Sequence, residues 1–368
     1  MSTEPVLDLN ALLTPLSPEA PSGVDLREDT SPQSIYYRLK DARSTARATE
    51  RRNDAGEESD GPQAEWRLLF DLTQDVLAKH SKDLEVACWL VEALVRRNGF
   101  AGLRDGLVLV CGLFENFADN LHSLQDEEGL ETFLAPLTGL NGFDGEGTLI
   151  QPIRKVSITS GGEKSYAFFH YNQSEDLDRL TDDAAKERRV AAGVLTVQQF
   201  EQVLRASPKD FLRALLGDLS EAIVALDKLS GLLSEKYASD APPTSRIRET
   251  LDGVHDLVRS RTRDILPPEP SEASGGDAAE GGQADARAGN GAMGVPGAIG
   301  SREDALQALT KIADFFRRTE PHSTIAFTLD DAIRRARMTL PELLAELMPD
   351  ETARRTFLTS AGIKPPDG

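Results

Sequence analysis

Cysteine occurs twice in the 368 residues, and aromatic side chains make up 6% of them. Two thiols cannot build a disulfide framework or complete a four-ligand zinc site. With so few aromatics, a core has to come from Leu, Ala and Val, which favours packed helices over aromatic-rich sheets. Basic charge is also short. There are 41 Lys and Arg against 61 Asp and Glu, a formal net charge of -20. A protein that tracks a phosphate backbone needs a basic footprint, so nucleic acid is not an expected partner. An acidic, protein-binding scaffold fits the balance better. The longest apolar run, Leu107 to Phe114, falls far short of the ~18 residues a spanning helix requires, so no membrane insertion is expected. The opening MSTEPVLDLN has no basic n-region and no long apolar stretch. No secretory signal is visible in it, and the cytoplasm is the expected location.

Recognisable catalytic motifs are missing too. There is no Walker A pattern, HExxH, CxxC, GxSxG or GxGxxG. The glycines of GFDGEG (142–147) have the wrong spacing for a dinucleotide turn and read as a loop. His80, His122, His170, His255 and His322 are scattered, none at metal-ligand spacing from another ligand. The pairs Glu127-Glu128 and Asp182-Asp183 read as solvated charge. Cys88 and Cys111 lie on apolar helical stripes and read as core. No catalytic, cofactor-binding or metal-binding residue is assigned. A helical hydrolase using unpaired acids with His122 or His322 is the remote enzymatic alternative, and a generic helical adaptor the nearer one.

What is present is helical periodicity. Residues 1–30 are rich in Pro, Ser and Asp and read as an extended arm with one short helix at Leu9 to Leu13. Ser34 to Arg52 reads as a helix carrying Arg43, Arg47 and Arg51 at i, i+4 and i+8, with Arg38 and Lys40 nearby. That stripe is either a solvated face or a docking patch for an acidic partner surface. Trp66 to His80 repeats Leu69, Leu72, Val76 and Leu77 at helical spacing.

Ser81 is the predicted N-cap of the next helix, with Asp83 and Glu85 in its first turn. Asn98-Gly99 is its stop signal. The following helix carries Leu103, Leu107, Val110, Leu113, Phe114 and Phe117 and has no charge from Gly106 to Phe114. A helix apolar all round belongs inside protein. Residues 149–171 are ambiguous, and Ile153, Val156 and Ile158 followed by Gly161-Gly162 and Tyr166 to Tyr171 are compatible with a β-hairpin. Thr196 is a predicted cap. A long helix runs from Lys209 to about Tyr237, Ala241-Pro242-Pro243 breaks it, and another runs from Ser245 to about Ile265. Residues 267–300 are Gly, Ala and Pro rich with almost no large apolar residue, the composition of a disordered linker. The last 68 residues read as three short helices, with Thr339 and Glu342 in a capping-box pattern.

Three pieces together, YYRLKDARSTARATER (36–51), SKDLEVACWLVEALVRRNGFAGLRDGL (81–107) and LNGFDGEGTL (140–149), resemble the ImpA-type N-terminal domain of TssA, a component of bacterial type VI secretion systems. SREDALQALTKIADFFRRTEPHS (301–323) resembles the C-terminal assembly module of the shorter TssA proteins. The chain departs from the pattern at Ala118, where the family carries Trp, and at Ser123 and Thr324, where it carries Pro.

The expected fold is all-α. It comprises an arm (1–30), an N-terminal helical bundle (31–148), an irregular connection (149–195), a middle helical hairpin (196–266), a disordered linker (267–300) and a small helical oligomerisation module (301–368). The resemblance implies a non-enzymatic homo-oligomeric ring that works with baseplate subunits, the Hcp tube and the TssB–TssC sheath, and in 149–171 it favours a helix into Lys155 and then a short extended stretch, the preferred reading, over the hairpin. Candidate docking residues are Arg38, Lys40, Arg43, Arg47 and Arg51. Candidate oligomer contacts are Phe316, Arg317, Arg318, Glu320, His322, Ile333 and Leu344.

Overall fold

The structure, a computed structural model, describes residues 2–55, 63–125 and 129–266, together with 324–338 and scattered positions between 306 and 350. Every regular element among them is a helix, and β pairing is limited there to three isolated bridges. The chain divides into two units, Met1–Ser274 and Gly275–Gly368. The first contains α1 (Leu9–Leu13), α2 (Ile35–Asp54), α3 (Gln63–Lys79), α4 (Leu84–Phe117), α5 (Leu130–Asn141) and α6 (Ile150–Lys155). It continues with α7 (Phe168–Arg179), α8 (Asp183–Ala191), α9 (Val197–Ala206), α10 (Lys209–Tyr237) and α11 (Ser245–Thr262). In the second unit the longest described helix is α12 (Ile325–Arg337).

α4 is two helices in one. At Gly99 the backbone takes φ 58°, ψ -134°, a conformation that side-chain-bearing residues avoid, and the chain turns back. The second half then lies directly on the first. A Cβ on Gly102 would stand 2.4 Å from the carbonyl oxygen of Leu94, so only a glycine permits this approach. The Asn98-Gly99 stop signal is therefore a hairpin corner.

The cap of α4 is Asp83, whose side chain accepts from the Val86 amide at 3.0 Å, and not Ser81. The stretch before the helix is held extended from both sides. Lys82 N donates to Ser22 O (2.8 Å), His122 N to Lys82 O (3.0 Å) and Leu84 N to His122 O (2.8 Å), while Ser81 bridges Gly23. The helix cannot begin until this pairing ends. Lys82 itself is fully buried with its ammonium on the carbonyls of Leu12 and Leu77, both at 2.7 Å, and burial pushes it down to about 8.

The second half of α4 is apolar on nearly every side, and of its large apolar side chains all but Val108 are buried. α3, α10 and α1 pack against α4. From α10 it receives Leu212, Leu215, Leu219 and Leu226, all buried in the same core as Leu103, Leu107 and Val110. The segments read separately as 31–148 and 196–266 thus share one core within the first unit. The 1–30 segment joins them. Leu7, Leu12 and Leu26 are buried, and Arg104, Asp105 and Asp218 grip its backbone. Arg104 donates to Asp105 (2.7 Å), Asp218 (2.8 Å) and Thr3 O (2.8 Å), while Leu7 N donates to Asp105 (3.1 Å). Buried charges persist when they are paired and hydrogen-bonded.

In the 149–171 segment, α6 ends at Lys155, as the preferred reading has it, while the antiparallel bridge from Ser157 to Ala167 retains one pairing of the hairpin alternative. The aromatic run from Phe168 onward is helical, because its rings pack on α9. Tyr171 meets Phe200 at 5.4 Å between centroids. Thr196 and Gln199 make the capping box of α9, and α10 and α11 begin where the periodicity placed them. The linker at 267–300 and the Thr339–Glu342 cap lie outside the described residues.

The glycine contact yields a direct test. Gly102→Ala is expected to lower the unfolding free energy by about 1–3 kcal/mol through overpacking. Gly139→Ala, on α5 with nothing within 4 Å of the added Cβ, is expected to leave it unchanged or raise it by up to ~1 kcal/mol. Urea denaturation of the two variants checks the contrast.

Candidate protein-docking surface

The predicted basic stripe of α2 divides between two faces. Tyr36, Arg43 and Glu50, spaced seven apart, turn inward to Glu85, Trp89, Glu92 and Arg96 on the first half of α4. Tyr36 stacks on Trp89 at 6.0 Å and donates its hydroxyl to Glu85 at 3.1 Å. Arg43 holds the Glu92 carboxylate in a two-pronged pair (2.9 and 2.8 Å) with its guanidinium 5.5 Å from the Trp89 ring. Arg96 clasps Glu50 at 2.9–3.0 Å and lies 4.0 Å from the Trp66 ring. From the N-terminal segment, Arg27 closes the row on Asp83 (2.6 Å) and Glu85 (2.7 Å).

These pairs shift the titration of their members. Glu92 is 1% exposed; burial opposes its charge, but the hydrogen bonds and charge of Arg43 outweigh burial and hold it below the usual carboxylate range. Burial pushes Tyr36 up to about 12, with the Glu85 charge adding to it.

Of the five candidate docking residues, Arg43 is therefore spent inside the fold. Arg38, Lys40 and Arg51 are exposed, Arg47 is half-buried, and none of the four makes an ion pair among the described residues. Arg47 is held below the usual arginine value by burial, with Arg43, Arg96 and Arg51 adding to it against Glu92. A signal for the inward row was available. Glu85 and Glu92 sit seven apart on the helix with the densest apolar stripe, opposite Tyr36 and Arg43 at the same spacing.

In the second unit, Arg317 bonds Asp314 and Asp330, the latter at 2.6 Å. Ile333 and Leu344 are buried and Phe316 is half-buried. Arg318, Glu320 and His322 lie outside the described residues. The sequence reading missed Phe327 on α12, which is 71% exposed.

The described histidines serve the fold. His170 Nδ1 accepts from the Ala167 amide at 2.9 Å, and burial lowers its pKa. His122 Nε2 lies 3.3 Å from Gly23 O, and His255 lies beside Asp256 and Ser220. Cys88 and Cys111 are free and buried, and burial pushes the Cys111 thiol up to about 11. Among the described residues, no group of three or more His, Cys, Asp or Glu is placed to hold a metal ion, and no helix is long and apolar enough to cross a membrane. Of the three departures from the resembled pattern, Ala118 is the half-buried C-cap of α4, Ser123 donates to Phe133 O at 2.7 Å, and Thr324 is the exposed N-cap of α12, its carbonyl accepting from Thr328 N at 3.0 Å.

Residues 13–142, the span of α2 to α5 and the corner at Gly99, match the family described as ImpA, N-terminal, type VI secretion system. The chain is also 27% identical over 351 residues to the type VI secretion system component TssA1 of Pseudomonas aeruginosa, covering 94% of this chain and 96% of that protein. Among solved structures it is similar to the N-terminal domain, including the conserved ImpA_N region, of the TssA component from Burkholderia cenocepacia. That likeness has 26% identity and a TM-score of 0.59, over 72% of this chain and 96% of the other.

The buried row predicts a specific pattern of stabilities. Arg43→Met strands Glu92 in the interior and is expected to cost about 3–5 kcal/mol, while adding Glu92→Leu recovers most of the loss. Glu92 titrates lower in the folded state than in the unfolded one. The pair's contribution is therefore complete above the ordinary value of 4.5 and is lost as pH falls through the folded value. Urea midpoints at pH 7 and in acid check both statements.

Proposed function

We propose that the chain is a TssA-like structural component of a type VI secretion system. It works in the cytoplasm, oligomerises into a ring through its C-terminal module (301–368), helps assemble the baseplate and primes tube and sheath polymerisation. In this reading the first unit meets baseplate subunits, the Hcp tube and the TssB–TssC sheath, with residues 267–300 as the tether. The observation that carries it is the extent of the likeness to TssA1. At 94% of this chain, that likeness reaches well beyond the ImpA_N domain and into the second unit.

Two further features support the reading. The sequence pattern of the last 68 residues, three short amphipathic stretches, is too little to bury a robust core alone, and oligomerisation is the common remedy. α12 leaves Ile325 and Phe327 exposed, apolar area that a neighbouring copy would cover. The outward face of α2, with Arg38, Lys40, Arg47 and Arg51, is the proposed docking patch for an acidic partner surface. Displayed on a ring, several weak patches gain strength through avidity.

Sedimentation velocity tests this. The full chain should sediment as one large oligomer, whereas a version ending at Ser274, the boundary of the first unit, should not form that species. A full chain that stays monomeric at micromolar concentration would overturn the ring.

A further inference from the structure

Phe143 is the most exposed large apolar side chain described in the first unit, at 70%. It stands on the 142–147 loop between α5 and α6, the GFDGEG stretch to which no role has been attached. The loop is firmly held, and Phe143 takes no part in holding it. Gly142 N donates to Thr138 O (2.7 Å), Thr148 N to Gly139 O (3.0 Å) and Leu149 N to Leu140 O (3.2 Å). Asn141 ties it to α11, its Nδ2 donating to Gly142 O (3.0 Å) and its Oδ1 accepting from Ile247 N (3.1 Å). Arg246 adds a bond to Gly145 O. An aromatic ring on a pre-ordered loop loses little entropy when it enters a partner, the property that makes such residues binding anchors.

The surroundings specify what the anchor meets. Beside the loop is a hollow of about 500 Å³ lined by Asp144, Glu146, Arg154, Arg246 and Glu249, among others. Arg154 is paired with Glu146 (3.3 Å) and Arg246 is turned to the loop backbone. Asp144 and Glu249 are exposed and make no ion pair among the described residues. Open carboxylates therefore flank an unused aromatic ring.

We propose that Phe143 is the anchor of a second docking surface on the first unit. Its partner is another protein subunit whose surface offers an apolar socket with a lysine or arginine at its edge. The ring fills the socket, and the partner's basic side chain enters the hollow toward Asp144 and Glu249. This surface has the opposite charge to the α2 patch, so the two faces select different partners. The inference rests on the reading that the chain engages other subunits of the secretion machine.

The test immobilises the full chain and measures binding of purified Hcp, assembled TssB–TssC sheath and purified baseplate subunits, at low and moderate salt. Wild type should bind at least one of them. Phe143→Ala should weaken that binding at least about tenfold, with an unchanged melting temperature and oligomer size. Asp144→Lys with Glu249→Lys should weaken it most at low salt. Unchanged binding by Phe143→Ala would overturn the anchor and leave the functional reading standing. Loss with Phe143→Ala but none with the double charge reversal would overturn the basic-edged partner. A change of oligomer size with partner binding intact would make a second copy the occupant and overturn the proposal. If wild type binds none of the three, the functional reading falls and the anchor falls with it.

Discussion

Where α4 folds back on itself, Gly102 rests against the Leu94 carbonyl at a separation no other residue allows. Much of the first unit follows from that contact. Close approach joins the two halves of α4 into one apolar body, too broad for a single neighbouring helix to cover. α1, α3 and α10 are consequently drawn onto it. The return of the chain also brings His122 beside Lys82, whose backbone it bonds, and this pairing sets the starting point of the helix at Leu84.

Around this apolar body the charges are arranged in two paired groups. One is the row from Arg27 through Glu85, Arg43 and Glu92 to Arg96 and Glu50, which joins α2 and the N-terminal segment to α4. The other is the cluster of Arg104, Asp105 and Asp218, which joins the same N-terminal segment to α10. Neither group is a catalytic constellation. Each carboxylate is met by a guanidinium, by backbone amides or, at Glu85, by Arg27 and the Tyr36 hydroxyl together, an arrangement that fixes which elements meet. Charge left over from this pairing lies outside, on the exposed face of α2 and at the acidic loop around Phe143. These are the two surfaces proposed above to meet partners.

Much of the helical plan was legible because periodicity and caps are local. Thr196 with Gln199, the break at Gly99 and the limits of α10 are all written within a few residues. Ser81 misled because its extended conformation is imposed by Ser22 and His122, distant in sequence. Arg43 misled for a related reason. An arginine stripe looks the same whether it meets water or a buried glutamate, and only the seven-residue match with Glu85 and Glu92 distinguishes them. The union of the middle hairpin with the N-terminal bundle was also beyond local patterns, since it depends on which surface of α4 is left uncovered. Phe143 carried no signal at all, as a lone Phe in a glycine-rich loop reads equally as core or as surface.

The claim that binds these observations together is that the first unit has one core, centred on α4 and reaching from the N-terminal segment to α11. Native-state hydrogen exchange on the full chain tests it most directly. The slowest amides of both halves of α4 and of α10 should exchange through a single opening at the same free energy. Exchange of α10 and α11 through a separate opening of lower energy, with α4 still protected, would contradict it.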